Sequence, residues 1–526
     1  MHGNELLLLA LMVAVAALSA LSRFVRAPYP ILLVLGGLLL GFVPGLPAIE
    51  LDPEVVLVLF LPPLLYHAAF FSSPRDLFAD LRVISLLAVG LVLVTMSVVA
   101  VTLHALIGLP WPVAFTLGAI VSPTDPLAAT AIARRLGLPR RIITVLEGES
   151  LVNDATALVA YQVAVAAAIS GEFVAWKAGI QFVAGASGGV LIGLVVGWLV
   201  AHVRRRLDDP VVEIVITIVT GYLAYLPAEQ IGASGVLAAV TTGLYMGRLA
   251  PEIASADTRL LGFSFWEVLV YLLNAALFIL VGLQLYPILG GVRGYSTANL
   301  LGLGALTSLV VIGVRIAWFF SVPYIIRKLD RRPTQTGRRI GPRGRLIMGW
   351  SGIRGAVSLA AALSLPLITD SGVSFPERNL LIFVAFGVIL ATLVIQGLTL
   401  PSLIRRAHMP PDDAEEREEL SARLGATEAE LKRLAELAEE EWTLEETIDR
   451  LRGAYEYRHR RLSARAREEE DGSYEDRSLA YQQMVRELLE AQRREIIRLR
   501  NEGAISNEVM HRVERDLDLE DSRLEI

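Results

Sequence analysis

The chain has 526 residues, 54% of them hydrophobic, with a mean hydropathy of +0.53. Soluble domains are usually less apolar, which argues against a wholly water-soluble globule. Charge is divided along the chain: residues 1–408 hold 28 Lys+Arg against 21 Asp+Glu, net +7, and residues 409–526 hold 20 against 33, net −13.

That division fits a helical membrane part, residues 1–408, followed by an acidic, water-exposed helical domain, residues 409–526. Cysteine is absent, so there is no disulfide framework and no thiolate metal site. The first 22 residues lack a basic n-region and carry Glu5, so they read as a retained helix and not as a signal peptide. About 20 apolar residues span a bilayer as a helix. Thirteen segments fit: residues 4–22, 29–46, 53–71, 82–108, 111–133, 141–169, 176–203, 211–226, 232–248, 262–285, 298–326, 344–366 and 378–402. The first six and last six flank one middle helix. With the N-terminus outside, the inner loops hold 23 Lys and Arg, among them Arg134, Arg135 and the run from Arg327 to Arg345. The outer loops hold Lys177, Arg293 and Arg378. Basic residues stay cytoplasmic during insertion, so this alternation supports the spans and a cytoplasmic tail.

Two segments are interrupted in the same way. The fifth contains VSPTDPLAA, with Pro123 and Pro126 around Thr124 and Asp125; the twelfth contains GWSGIRGAVSL, with Gly349, Gly352 and Gly355 around Arg354. Proline removes a backbone donor and clashes with the preceding turn. Each break is the fifth element of its half, a pattern that points to inverted repeats with a midplane site. Unwound backbone at that depth is tolerated inside protein or beside a watery cavity.

Charges inside membrane segments are costly and usually functional. The core set is Asp125, Glu149, Asp154, Arg315 and Arg354. In EGESLVNDATALV, Glu149 and Asn153 share a helix face, as do Ser150 and Asp154, so one helix is expected to present all four to a single cavity. These are hard oxygen ligands that suit a small alkali cation, and no His or Cys cluster competes. Burial favours the neutral form of a carboxyl group, and an arriving cation favours the charged form. One residue can therefore hold a proton or a metal ion in turn, and Asp154 is the candidate. The break would expose the Thr124 carbonyl oxygen as a further ligand. Arg315, in VVIGVRIAWFF, is expected to pair with Glu149, and Arg354 to brace the second broken helix, where freed carbonyls favour positive charge.

ESLVNDATALV, SPTDP, LPPLLYHAA and GIRGAVSLA, four motifs in order over roughly residues 5–405, together resemble the monovalent cation:proton antiporter-1 family, the sodium/proton exchangers. The resemblance implies an all-α polytopic fold of thirteen transmembrane helices, two six-helix inverted repeats around a middle helix, with crossed, unwound fifth and twelfth helices. It also implies a second domain that forms a homodimer. By matching positions, Asp154 is the proton- and cation-binding carboxylate, Asn153 its amide neighbour, and Thr124, Asp125 and Ser150 complete a Na+ site. Glu149 is the partner of the eleventh-segment arginine, Arg315. An Asn-Asp pair resembles the electroneutral branch, one proton for one sodium ion. The expected activity is Na+/H+ exchange, with Li+ also carried, across the inner membrane for pH and sodium homeostasis. Beyond the transported Na+ and H+, no cofactor is implied.

Plainer structural readings stand beside these. Asp125 before Pro126 is also a good helix N-cap. The Glu149–Arg315 pair serves packing first, and Asn153 reads equally well as an interhelical hydrogen bond. His67 reads as a core histidine satisfied by a carbonyl, Glu213 as facing water near a helix end, and Glu267 has no role. The glycine-rich seventh segment, with Gly185, Gly188, Gly189, Gly193 and Gly197, reads as close helix packing or a compliant link between repeats. No nucleotide fingerprint occurs, which removes support for ATP-driven transport, and no nucleic-acid partner is expected. From Pro410 the tail shows helix-period stripes at Leu444, Ile448, Leu451 and Tyr455 and at Val485, Leu489, Ile496 and Leu499. Gly425, Gly472 and Gly503 punctuate it into three or four helices, and its attachment to the last span suggests regulation of transport. The run RLRNEGAISNEVMHRVERDLDLEDSRLEI resembles bacterial members of the same family. The competing classes are K+/H+ exchange, an intramembrane aspartyl enzyme, for which no paired-aspartate motif is seen, and a membrane sensor signalling through its tail.

Overall fold

The computed structural model describes residues 12–18, 20–21, 24, 29–42, 53–171, 175–292, 295–329, 340–409, 414–466 and 473–524. The first predicted segment lies partly outside these residues. The chain divides into two compact units, Met1–Pro411 and Asp412–Ile526. Among the described residues both are helical, with one isolated β-bridge between Ile368 and Ser374.

The first unit begins with α1 (Tyr29–Gly41), α2 (Pro53–Phe70), the short α3 (Pro74–Ala79) and α4 (Leu81–Ile107). Ser73 caps α3 by accepting from the Asp76 N–H, and Gly108, at φ +68°, stops α4. The fifth predicted segment is two helices, α5 (Trp111–Val121) and α6 (Leu127–Arg135), separated by the proline-bearing break. The helix α7 (Arg140–Ser170) follows, then α8 (Ala175–Arg204) and α9 (Pro210–Gln230). The predicted eighth segment, 211–226, is thus too short: Asp209 caps α9 through the N–H groups of Val211 and Val212, with Pro210 in the first turn. Next come α10 (Gly235–Ile253), α11 (Ala256–Gly291) and α12 (Thr297–Leu329). The second interrupted segment is α13 (Pro342–Trp350) and α14 (Ala356–Leu363), and α15 (Arg378–Ala407) closes the unit.

Among the described residues, seven helices are long and apolar enough to cross a membrane: α4, α7, α8, α9, α11, α12 and α15. They divide by burial. In α15 72% of the apolar window is buried and in α7 61%, whereas in α8 only 28% is. The buried helices surround the two breaks. The glycines of α8 serve close packing: Gly189 and Gly193 lie on the Ser234 and Ala238 carbonyls at the start of α10, and the Thr242 hydroxyl donates to the Gly193 carbonyl at 2.9 Å. With lipid outside, small residues and such bonds hold helices together where hydrophobic association cannot.

The second unit contains, among the described residues, α16 (Ala414–Leu437), α17 (Glu445–Ala466), α18 (Ser473–Asn501) and α19 (Asn507–Leu524). Its buried contacts come from Leu434, Ile448, Leu462, Leu489, Met510 and Leu517. Gly503, at φ +76°, makes the turn between α18 and α19, as punctuation predicts. Gly425 does not break the chain but sits inside α16, where a single glycine costs only about 1 kcal/mol against alanine. Gly472 lies outside the described residues. Leu444 precedes α17 and is exposed, so it is no member of the buried stripe.

Candidate functional site

The middle of α7 and the two breaks converge. The Asp125 N–H donates to the Ile353 carbonyl at 2.8 Å, joining the first break to the second. Asp125 also caps α6, its Oδ1 accepting from the Leu127 N–H at 2.9 Å. The cap and the site are therefore one residue, because the capped helix end is the break itself. Gly355 packs against the Asp125 carboxylate so closely that a Cβ there would overlap it.

A cavity of about 250 Å³ opens at this junction, and Thr124, Asp125, Ser150 and Asp154 all line it. Asp154 is 9% exposed. Arg315 and Arg354 are engaged elsewhere, so Asp154 faces the cavity without an ion-pair partner among the described residues.

The adjoining face of α7 holds a buried polar network, in which Asn153 Oδ1 alone of the Asn153 amide atoms has no hydrogen-bond partner among the described residues. Arg315 grips Glu149 with two nitrogens, Nη1 to Oε1 and Nη2 to Oε2 at 2.9 Å, and both side chains are about 1–2% exposed. Its Nε and Nη2 also donate to the Met348 carbonyl at 3.3 and 3.2 Å, at the end of α13. The Thr124 hydroxyl donates to Glu149 Oε1 at 3.2 Å and accepts from Asn153 Nδ2 at 2.8 Å. Thr124 is thus shared: it lines the cavity and is held in place from behind. The two charges of a buried pair need this kind of additional bonding to offset the cost of leaving water.

Several expectations need correction. Glu149 and Asn153 do not join Ser150 and Asp154 on one cavity; they face Arg315 and Thr124, because neighbouring positions on a helix point about 100° apart. Arg354 braces the first break, not the second: its Nη1 donates to the carbonyls of Ser122 and Pro123, the latter at 2.7 Å. The Ser122 carbonyl lacks a helical donor because Pro126, four residues on, has no N–H, and the Pro123 carbonyl lacks one because the Leu127 N–H goes to Asp125. Glu213 does not face water. It is 1% exposed and bound to Arg204 at 2.8 Å, with the Thr258 hydroxyl donating to its other oxygen at 3.2 Å. His67 is not sealed in the core by a carbonyl; it lines the cavity wall with its ring against Phe71 and Trp266.

Sequence reasoning missed the Arg204–Glu213 pair, the apposition of Gly355 to Asp125, and the cavity-lining pair Arg134–Glu147. Nine residues separate Arg204 from Glu213 across a turn, and that closeness was the available signal. Arg134 and Glu147 lie 13 residues apart on consecutive helices, a similarly short separation, whereas Gly355 and Asp125 come from distant segments and left no signal.

The family model described as "Sodium/hydrogen exchanger, transmembrane" matches residues 8–406. An uncharacterized Na(+)/H(+) exchanger of Mycobacterium tuberculosis is 38% identical over 522 residues, covering 98% of this chain and 95% of that protein. The Na(+)/H(+) antiporter ApNhaP of Aphanothece halophytica is 36% identical, over 82% of this chain and 80% of its own length. Among solved structures, the sodium proton antiporter MjNhaP1 of Methanocaldococcus jannaschii at pH 8 aligns with a TM-score of 0.61 at 20% identity. That match covers 77% of this chain and 99% of that one, and it speaks for the fold.

Proposed function

The chain belongs to the sodium/hydrogen exchanger family, and on that premise we propose that it exchanges intracellular Na+ for external H+ by alternating access. Asp154 is the group that holds proton and cation in turn. The observation that carries this reading is the meeting of Asp125, from the first break, and Asp154, from α7, at one cavity with Thr124 and Ser150.

The chemistry follows from that geometry. A carboxyl group in a low-dielectric cavity favours its neutral form, and a cation beside it favours the carboxylate. Sodium arriving at Asp154 releases the proton, and a returning proton expels sodium. Mutual exclusion at one residue couples the two fluxes. Asp125, capped onto Leu127 and joined to Ile353, supplies a fixed second carboxylate. Ser150 adds a hydroxyl oxygen and Thr124 its backbone carbonyl oxygen, a donor set suited to small alkali cations, Li+ included. With one titrating aspartate the exchange is electroneutral, one for one. Asn153 and Glu149 act behind the site by holding Thr124, and Arg354 by holding the carbonyls of the first break.

In this reading residues 1–408 form thirteen spans in two six-helix inverted repeats around α8, with the interrupted helices crossing at the site. The protein works as a homodimer in the cell inner membrane, with its N-terminus outside and residues 409–526 in the cytoplasm, and serves pH and sodium homeostasis. The cavity end lined by Arg134 then faces the cytoplasm.

The test is flux in proteoliposomes with Na+, Li+ and K+ across a pH series, for the wild type and Asp154→Asn. Na+ and Li+ drive proton movement in the wild type, with apparent cation affinity falling as pH falls, and Asp154→Asn gives none. Full exchange by Asp154→Asn removes the assignment, and exchange driven by K+ alone replaces the substrate.

A further inference from the structure

The cavity that reaches Asp154 has a second polar end that the exchange reading does not use. Arg134 and Glu147 both line it, with Arg134 Nη2 2.8 Å from Glu147 Oε1. Unlike the two sealed pairs, Glu149–Arg315 and Glu213–Arg204, this one is open: its side chains are 57% and 34% exposed. The pair therefore stands at the mouth.

Its position along the helices is ordered. Glu147, Ser150 and Asp154 are spaced by three and four residues on α7 and all line the cavity, so they form one polar stripe from mouth to site. Thr130 and Arg134 form a facing stripe on α6, the helix that Asp125 caps. The nearby cations at the start of α7 are already engaged: Arg140 with Asp76 at 3.0 Å and Arg141 with Asp80 at 2.6 Å.

We propose that Glu147 is the capture residue of the cation path. It draws the cation to the mouth and hands it along the stripe to Ser150 and Asp154, and Arg134 tunes its strength by competing for the same carboxylate. This rests on the exchange reading above. An exposed ion pair is held weakly, so an incoming cation competes with the guanidinium for the carboxylate. A carboxylate at the opening of a low-dielectric cleft raises the local concentration of cations, and added salt screens the effect.

The experiment measures initial exchange rate against Na+ concentration for the full chain in proteoliposomes, at low ionic strength and with added choline chloride. Glu147→Gln raises the KM for Na+ about threefold or more at low ionic strength with the maximal rate retained, and choline chloride narrows the gap. Arg134→Gln shifts KM the other way, and Glu147→Asp stays near the wild type. A pair that only braces α6 against α7 behaves differently: both single variants lose rate together, and the exchanged pair, Arg134→Glu with Glu147→Arg, restores it. That result, or an unchanged KM in both single variants, overturns the proposal. A wild type with no flux overturns the exchange reading and this inference with it, whereas wild-type flux with an unmoved KM overturns this inference alone.

Discussion

Two faces of one helix, α7, carry the same kinds of groups and put them to different uses. Glu149 and Asn153 look toward Arg315 and Thr124 and are held in a buried network. Ser150 and Asp154, one position further on, look into a cavity. On one side the carboxylate and the amide nitrogen are committed to partners; on the other, hydroxyl and carboxylate line a cavity. A buried charge is held where the fold supplies its counter-charge, and in the exchange reading it is open to an ion where the fold leaves it a cavity.

The comparison can be broken most sharply by neutralising each carboxylate in turn. Glu149→Gln leaves Arg315 buried and unpaired, at a cost of about 3–5 kcal/mol, read as a lowered melting midpoint in detergent. Replacing both partners with apolar residues, Glu149→Leu with Arg315→Met, costs less than the single change. Asp154→Asn leaves the midpoint near that of the wild type while abolishing exchange. If Glu149→Gln folds normally and loses transport alone, the two faces exchange roles.

A smaller effect is expected where the breaks touch. In Gly355→Ala the new methyl overlaps the Asp125 carboxylate and must displace it, with an overpacking cost of about 1–3 kcal/mol and a reduced maximal exchange rate. Unimpaired exchange would show that Asp125 tolerates displacement. The smallest effect belongs to Asn153→Ala, which removes one hydrogen bond to Thr124 and costs about 1 kcal/mol. Thr124 keeps its bond to Glu149, so exchange continues. A raised KM for Na+ at unchanged stability would instead place the Asn153 side chain against the cation.

The breaks were legible because proline and glycine act locally: Pro123 and Pro126 interrupt α5 from α6 whatever surrounds them, and Gly352 and Gly355 lie in the gap between α13 and α14. The Glu149–Arg315 pair was legible by elimination, since a buried arginine in an apolar helix requires an anion. The partner of Arg354 was misread because its own break seemed the nearest source of free carbonyls, while Ser122 and Pro123 arrive from another helix. Glu213 was misread because closeness to a helix end suggests water, and only the fold of α8 against α9 brings Arg204 onto it.

The sequence by itself determined the apolar spans, the two interruptions, the acidic tail and the short list of buried ionisable residues. These follow from hydropathy, backbone chemistry and the cost of burying charge, which act within a segment. Only the tertiary structure decided which face of α7 meets a cavity and which meets Arg315, that one break is held by the arginine of the other, and that Glu147 and Arg134 stand together at the mouth. Those facts depend on how separate helices are rotated and packed against one another, and the spacing of residues along any one helix does not specify that rotation.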